Sequence, residues 1–189
     1  MSQVQAVAVR KAAHRGRSLL ARELLLLVER HHHADGPGVT RETLRAYAAA
    51  VRDEMAGGDD VPFAPDEFME LIEERLTTDD DWTGDDFYRV GDGRVSVFPA
   101  SWHDRLAGER DVRTYVEVLT SAGGSDATRP SMGGTGEGVP RNLLVDAMSV
   151  LGGVEPSATT DRIEELREEG VLAEHADQHH NPHVRLVDE

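Results

Sequence analysis

One pattern of elements occurs twice along this chain and limits the folds that the chain can adopt. In each copy, helical segments with an apolar stripe come first, and a short pair of alternating strands ends the copy. The first copy covers residues 18–99 and the second covers residues 140–187. A chain of 189 residues has room for two domains of this size. The sequence therefore predicts two small, mainly helical domains that each carry a short β-hairpin.

The first copy has clear signals for the start of each helix. An apolar stripe at helical spacing begins near Ser18, and Thr40 is suited to cap a second helix over residues 41–55. Pro65 is suited to the first position of a third helix. The Asp-Gly step in Gly91-Asp92-Gly93 favours a tight turn between two strands. We expect three helices followed by a hairpin.

The second copy is shorter. It begins at Pro140 with a helix that stops at Gly152, and a helix over residues 156–169 follows. Gly170 is suited to end that helix. A helix, a glycine cap and a first hairpin strand together make up the run Ile163-Glu164-Glu165-Leu166-Arg167-Glu168-Glu169-Gly170-Val171-Leu172.

This order of elements resembles the winged-helix fold, a variant of the helix-turn-helix in which the hairpin is called the wing. Residues 140–187 are also similar to the small C-terminal winged helix of archaeal minichromosome maintenance helicases. The resemblance implies two winged-helix domains that read DNA or dock other proteins. It does not extend to the helicase itself, because the chain has no Gly-x-x-x-x-Gly-Lys-Ser/Thr run and its only lysine, Lys11, lies in no glycine-rich loop.

Composition suggests where these domains begin and end. We expect residues 1–17 to be a flexible basic arm, and residues 18–122 to be a winged-helix domain that closes with an extra helix after Ser101. Residues 123–138 are rich in Gly, Ser, Thr and Pro and almost free of apolar side chains, which predicts a flexible linker. Residues 139–189 then form the smaller winged-helix domain.

The charge of the chain resembles that of proteins from halophilic archaea. The formal net charge is −16, and Lys11 stands against 19 arginines. A large net charge keeps a protein soluble, and at molar salt the Debye length falls to roughly 3 Å. Acidity is therefore weak evidence against a nucleic-acid partner, although phosphate contacts still need arginine or lysine at the point of contact.

Basic residues concentrate at the N-terminus, where residues 1–30 carry six basic and two acidic side chains. A basic arm can lie along phosphates or enter a minor groove, a wing can touch phosphates, and the third helix of such a domain reads the major groove. The exposed positions predicted on both third helices are mainly acidic. The candidate nucleic-acid contacts are Arg10, Lys11, Arg15, Arg17, Arg22, Arg89, Arg94, Arg162 and Arg167.

Several classes of protein are not expected. The chain has no cysteine, which excludes disulfides and thiolate chemistry. The apolar runs, such as residues 24–28, are too short to span a bilayer, and no signal-peptide core is present, so we predict a cytoplasmic protein. The histidines at 31–33 and 175–183 lack a scaffold for a metal site, and no catalytic or cofactor motif stands out. We expect no enzyme activity, no metal and no cofactor.

Two functions agree with these features. The first is a non-catalytic, DNA-associated regulator linked to transcription or replication, which the basic arm and the fold favour. The alternative is a protein-interaction adaptor that does not bind DNA, which the acidic third helices favour. Leu25 and Leu26 widen the apolar stripe of the first helix, which leaves homodimerisation open.

Overall fold

The computed structural model describes residues 4–32, 34–55, 62–122, 138–175 and 181–187. The chain forms two compact units: unit 1 holds Met1–Asp80 and Gly84–Ala100, and unit 2 holds Asp81–Thr83 and Ser101–Glu189. The described residues contain eight α-helices and two three-stranded sheets. The predicted class, mainly α with short β-hairpins, is confirmed.

Unit 1 combines four helices with one sheet in its described residues. Its elements are α1 (Ala6–Arg15), α2 (Ala21–His31), α3 (Arg41–Glu54), α4 (Pro65–Glu74), β1 (Leu76–Thr77), β2 (Phe87–Val90) and β3 (Arg94–Ser96). β1 pairs with β2 in parallel, and β2 pairs with β3 in antiparallel orientation. Val39, just before α3, forms an isolated antiparallel bridge with Val95 of β3. The largest side chains buried in this unit include Leu24, Tyr47, Phe68 and Phe98.

Local capping explains where the helices of unit 1 begin. The Thr43 N–H donates to Oγ1 of Thr40 over 3.2 Å at the start of α3. Pro65 occupies the first turn of α4, where its missing N–H costs nothing. At the start of α2, the Leu20 N–H donates to the carboxylate of Glu23 over 3.0 Å. These contacts satisfy N–H groups that a helix leaves unpaired. The predicted roles of Thr40 and Pro65 are confirmed.

The predicted hairpin of unit 1 is also confirmed. β2 and β3 flank Gly91–Gly93, and the turn places Asp92 at φ 55° and Gly93 at φ 71°. Aspartate tolerates this left-handed region and glycine adopts it freely, so the Asp-Gly step sets the turn.

The prediction of a flexible arm over residues 1–17 was wrong for its described part. Residues 6–15 form α1, which packs against α2 and α3. Ala8, Val9 and Ala12 are buried on one face of this helix. Their spacing gives a narrow apolar stripe, and the small alanines let α1 approach its neighbours closely. Burial of these apolar side chains orders the segment, although its composition predicts a charged tail.

Unit 2 has the same mixture of elements. They are α5 (Ala100–Leu106), which begins at the last residue of unit 1, α6 (Val112–Ala122), β4 (Val139–Pro140), α7 (Arg141–Leu151), α8 (Pro156–Glu168), β5 (Leu172–His175) and β6 (His183–Leu186). The sheet order is β4-β6-β5, and both pairings are antiparallel. As predicted, Gly170 follows α8 with φ 75°, and its N–H donates to the Arg167 carbonyl. Trp102, Leu106, Tyr115 and Leu144 are fully buried in this unit.

The helix at the end of the first predicted domain belongs to unit 2. α6 packs against α7, α8, β4 and β6, so the second set of elements starts before residue 140 and the predicted domain over residues 18–122 extends too far. Residues 123–137 lie outside the described residues, and along the chain they connect α6 to β4 within unit 2. Gly138, the last residue of the predicted linker, is buried beside β6. Because this segment is polar, the sequence alone does not show that α6 and β4 belong to the same unit.

A short motif recurs in the two units at a spacing of 100 residues. It reads Gly38-Val39-Thr40-Arg41 in unit 1 and Gly138-Val139-Pro140-Arg141 in unit 2. In both copies the glycine has a positive φ, and a Cβ there would lie within 2.7 Å of a carbonyl oxygen on the neighbouring strand. The valine then pairs with that strand, and the arginine is the first residue of a helix. The two units thus share a local structure that requires glycine at its first position.

Candidate nucleic-acid interface

The four cations predicted in the arm lie on a folded surface. All are exposed, with three on α1 and one in the turn that follows it: Arg10, Lys11, Arg15 and Arg17. Arg15 Nη1 lies 3.2 Å from Glu23 Oε1. Lys11 Nζ lies 3.3 Å from His31 Nε2. These cations were predicted on a flexible tail, but they lie on the exposed surface of a helix and of the turn that follows it.

Arg22 has a structural role within unit 1. It is half-buried, and its Nη1 donates to the Val97 carbonyl over 3.3 Å. Its guanidinium carbon lies 6.0 Å from the centre of the Phe98 ring. These contacts tie the start of α2 to the segment after β3. Arg22 is therefore held against its own unit instead of facing a ligand.

The same segment contacts a buried carboxylate on α2. The Val97 N–H donates to Oε2 of Glu29 over 2.9 Å, whereas Oε1 is buried with no hydrogen-bond partner in the described part of the chain. Burial raises the pKa of Glu29 to about 7, although hydrogen bonds from Val97 and Ser96 and the charge of Arg22 act in the opposite direction. Glu29 is therefore a carboxyl group that binds a proton more tightly in the folded unit.

We expect the stability of unit 1 to fall as pH rises from about 4.5 to about 7, through the titration of Glu29. The folded state holds this proton and the unfolded state releases it, so the contribution is complete below the unfolded pKa and is lost above the folded one. Glu29→Gln keeps the size and shape of the side chain but cannot ionise. Urea unfolding followed by far-ultraviolet circular dichroism should show the wild type losing roughly 1–3 kcal/mol relative to the variant between these pH values.

Glu54→Gln, which removes an exposed carboxylate from α3, is the matched control for this experiment. A wild-type protein that keeps the same stability difference from Glu29→Gln at pH 5 and pH 8 would contradict the buried-proton interpretation.

Around α4, the arginines are paired with carboxylates. Arg41, at the start of α3, forms an ion pair with Glu73 of α4 and donates from Nη1 to the Gly93 carbonyl in the hairpin turn over 2.7 Å. The hydrogen bond from Arg41 holds the pKa of Glu73 below its usual range. Arg45 Nη2 lies 3.0 Å from Asp66 Oδ1. Sequence reasoning missed Arg41, although its place directly after a cap pointed to the start of a helix.

The two hairpin arginines lie on the strands of unit 1. Arg89 lies exposed on β2, and Arg94 is half-buried on β3. The charge of Arg89 also lowers the pKa of Glu73, although by less than the hydrogen bond from Arg41 does. Glu73 of α4 therefore lies close enough to the hairpin for the charge of Arg89 to stabilise its ionised form.

Unit 2 repeats the arrangement of Arg41 with a more buried arginine. Arg141, at the start of α7, donates to Glu164 of α8 over 2.8 Å and to Glu174 of β5 over 2.7 Å. The side chain of Arg141 is 19% exposed and that of Glu174 is 13% exposed. In both units, the first arginine of one helix therefore connects the next helix to the hairpin. No feature of the sequence alone indicated these pairings.

The predicted contacts on α8 are both neutralised within unit 2. Arg162 pairs with Glu165 over 2.8 Å and with Glu169 over 3.7 Å. Arg167 pairs with Glu164 and, over 3.1 Å, with Glu174. Both guanidinium groups therefore pair with carboxylates of their own unit, and both side chains stay partly exposed.

The histidines do not form a metal centre in the described residues. No group of three or more His, Asp or Glu side chains there is arranged to hold a metal ion. His33, His179 and His180 lie outside the described residues. His183 is buried on β6, where it pairs across the sheet with the backbone of residue 175.

No helix in the described part of the chain is both long enough and apolar enough to cross a membrane. Comparisons with protein-family models, with curated proteins and with solved structures give no match for this chain. Function is therefore inferred from the geometry of the two units.

Proposed function

We propose that the chain is a tandem winged-helix protein. In unit 1 the winged helix comprises α2, α3, α4 and the β2–β3 hairpin, and in unit 2 it comprises α6, α7, α8 and the β5–β6 hairpin. The order of elements supports this assignment. A further support is that the segment before the second helix of each winged helix pairs with the hairpin, through the Val39 bridge in unit 1 and through β4 in unit 2. The third helices are then α4 and α8.

We further propose that this protein is a non-catalytic adaptor whose third helices dock a protein partner. The pairing of arginines with carboxylates around α4 and α8 supports this function best. Reading DNA requires cations that neutralise phosphates and side chains that match base edges. α4 contains no basic residue, Arg41 and Arg45 beside it are paired, and both arginines of α8 are paired. These helices present carboxylates where a DNA-reading helix needs positive charge.

The exposed face of α4 also indicates the chemistry of its partner. Leu71 lies on this face and remains 39% exposed, and Glu67 and Glu74 lie one turn away on either side. A partner segment with an apolar side chain would cover Leu71, and basic groups around it would pair with the two glutamates. This combination is typical of an amphipathic, basic peptide segment that lies along a helix.

A site-specific cross-linking experiment tests the adaptor. A photo-reactive benzoylphenylalanine is placed at position 71 of the full chain, and the protein is irradiated in cells of the organism that encodes it. The matched control places the same residue at position 187, because Val187 is also an exposed apolar side chain but lies outside α4. We expect a discrete adduct at position 71 that protease removes and nuclease does not.

Charge neutralisation identifies which part of α4 is recognised. Glu67→Gln combined with Glu74→Gln should reduce the adduct several-fold, whereas Glu42→Gln combined with Glu54→Gln on α3 should leave it unchanged. A nuclease-sensitive adduct at position 71, or equal labelling at positions 71 and 187, would overturn the adaptor.

A further inference from the structure

We propose that the exposed face of α1 is a second binding surface, distinct from the third helices, which contacts the phosphate backbone of duplex DNA without reading its sequence. This face, the α1 face, is formed by Val7, Arg10, Lys11 and His14. A protein docked on the third helices and DNA contacted by α1 would make the chain a link between the two.

The helix itself sets the geometry of the α1 face. Ala8, Val9 and Ala12 are buried against unit 1, and the four residues of the α1 face lie on the opposite side of the same helix. Residues 7, 10, 11 and 14 have the spacing of neighbours on one helical face. Packing of the buried stripe therefore holds the cations of α1 in a fixed row, which a flexible tail does not do.

The charge of this row is not cancelled locally. No aspartate or glutamate occurs before Glu23, and that carboxylate pairs with Arg15, outside the α1 face. Arg10 has no ion-pair partner among the described residues. The neighbour of Lys11 is the imidazole of His31, which brings no negative charge to the lysine. In this respect the α1 face differs from the surroundings of α4 and α8, where carboxylates pair with the arginines.

Phosphate is the anion that such a row fits. Duplex DNA carries one negative charge per about 1.7 Å of its axis, so the adjacent cations Arg10 and Lys11 on one helical face can each contact a phosphate. At about 0.1 M salt the Debye length is about 10 Å, so acidic groups elsewhere on the chain are screened from this contact. Because all contacts are to the backbone, the surface gives affinity without sequence preference.

The test is a fluorescence-anisotropy titration of the full chain with a short random-sequence DNA duplex, at KCl concentrations from about 50 to 200 mM. Circular dichroism at each salt concentration establishes that the protein is folded. The two cations of the α1 face, with one phosphate contact each, predict that log K falls with log[salt] with a slope of about −1.8. Arg10→Gln combined with Lys11→Gln should remove most of this slope and weaken binding roughly tenfold or more.

Arg52→Gln combined with Arg110→Gln is the matched control, because it removes the same charge from exposed positions outside α1. The control should bind DNA as the wild type does. Absence of salt-dependent binding by the folded wild type, or an equal loss in the control, would overturn the proposal. The cross-linking result at position 71 does not depend on this titration, so failure of one surface is distinguishable from failure of the other.

Discussion

Gly152→Ala is expected to destabilise unit 2 by about 3 kcal/mol, because the position has no room for a side chain. A Cβ at Gly152 would lie 2.2 Å from the Glu109 carbonyl oxygen, 2.8 Å from the Tyr115 hydroxyl and 3.0 Å from the Met148 carbonyl oxygen. Two of these atoms belong to the backbone and cannot swing away. The Tyr115 hydroxyl is itself held, since it donates to the Glu109 carbonyl over 3.1 Å.

Tryptophan fluorescence measures this effect in the correct unit. Trp82 and Trp102 are the two tryptophans of the chain, both belong to unit 2, and their rings stack with centroids 5.8 Å apart. Urea unfolding followed by this signal should show a large shift for Gly152→Ala. The control is Gly153→Ala: a Cβ there meets no atom within 4 Å, and its φ of 62°, unlike the −95° of Gly152, adds only a backbone strain of about 1 kcal/mol. If both variants lose the same stability, steric crowding at Gly152 is not the cause.

Arg141→Ala is expected to destabilise unit 2 by roughly 2 kcal/mol, because it leaves the largely buried carboxylate of Glu174 without its closest cation. Breaking a buried ion pair leaves a desolvated charge behind, which costs more than the loss of an exposed pair. Arg167 still faces Glu174 over 3.1 Å, and this remaining contact limits the loss.

Arg162→Ala is the matched control in the same unit, read by the same tryptophan signal. Its ion pair with Glu165 is exposed on both sides, so solvent replaces the contact and the loss should be much smaller than for Arg141→Ala. Equal destabilisation by the two variants would show that Arg141 contributes no more than a surface ion pair, and that the link it makes between α7, α8 and β5 adds nothing to stability.

Much of the secondary structure could be predicted because its signals are local. Thr40 caps α3 through an N–H three residues away, Pro65 starts α4 because its own N–H is not needed there, and Gly170 ends α8 because it adopts a positive φ. The turn at Gly91–Gly93 is likewise set by its own Asp-Gly step. Each of these outcomes depends on a few consecutive residues, so the sequence contains the information directly.

The candidate site was predicted less well, because its behaviour depends on partners far away in the chain. Arg162 and Arg167 were correctly placed on a helix, but their pairing with glutamates of the same unit was not predicted. Arg22 was placed among the basic contacts, yet it donates to a carbonyl 75 positions later. A count of charges along the sequence does not show which of them neutralise one another.

The two sets of helices and hairpins follow from the amino-acid sequence alone, since apolar spacing, caps and turn residues act within one or two helical turns. Packing between distant segments makes α1 a packed helix and places α6 in unit 2. It also gives Arg41 and Arg141 equivalent ion pairs. Burial and ion pairing depend on contacts between residues that are far apart in the sequence. These contacts exist only in the folded chain, so local sequence patterns do not show them.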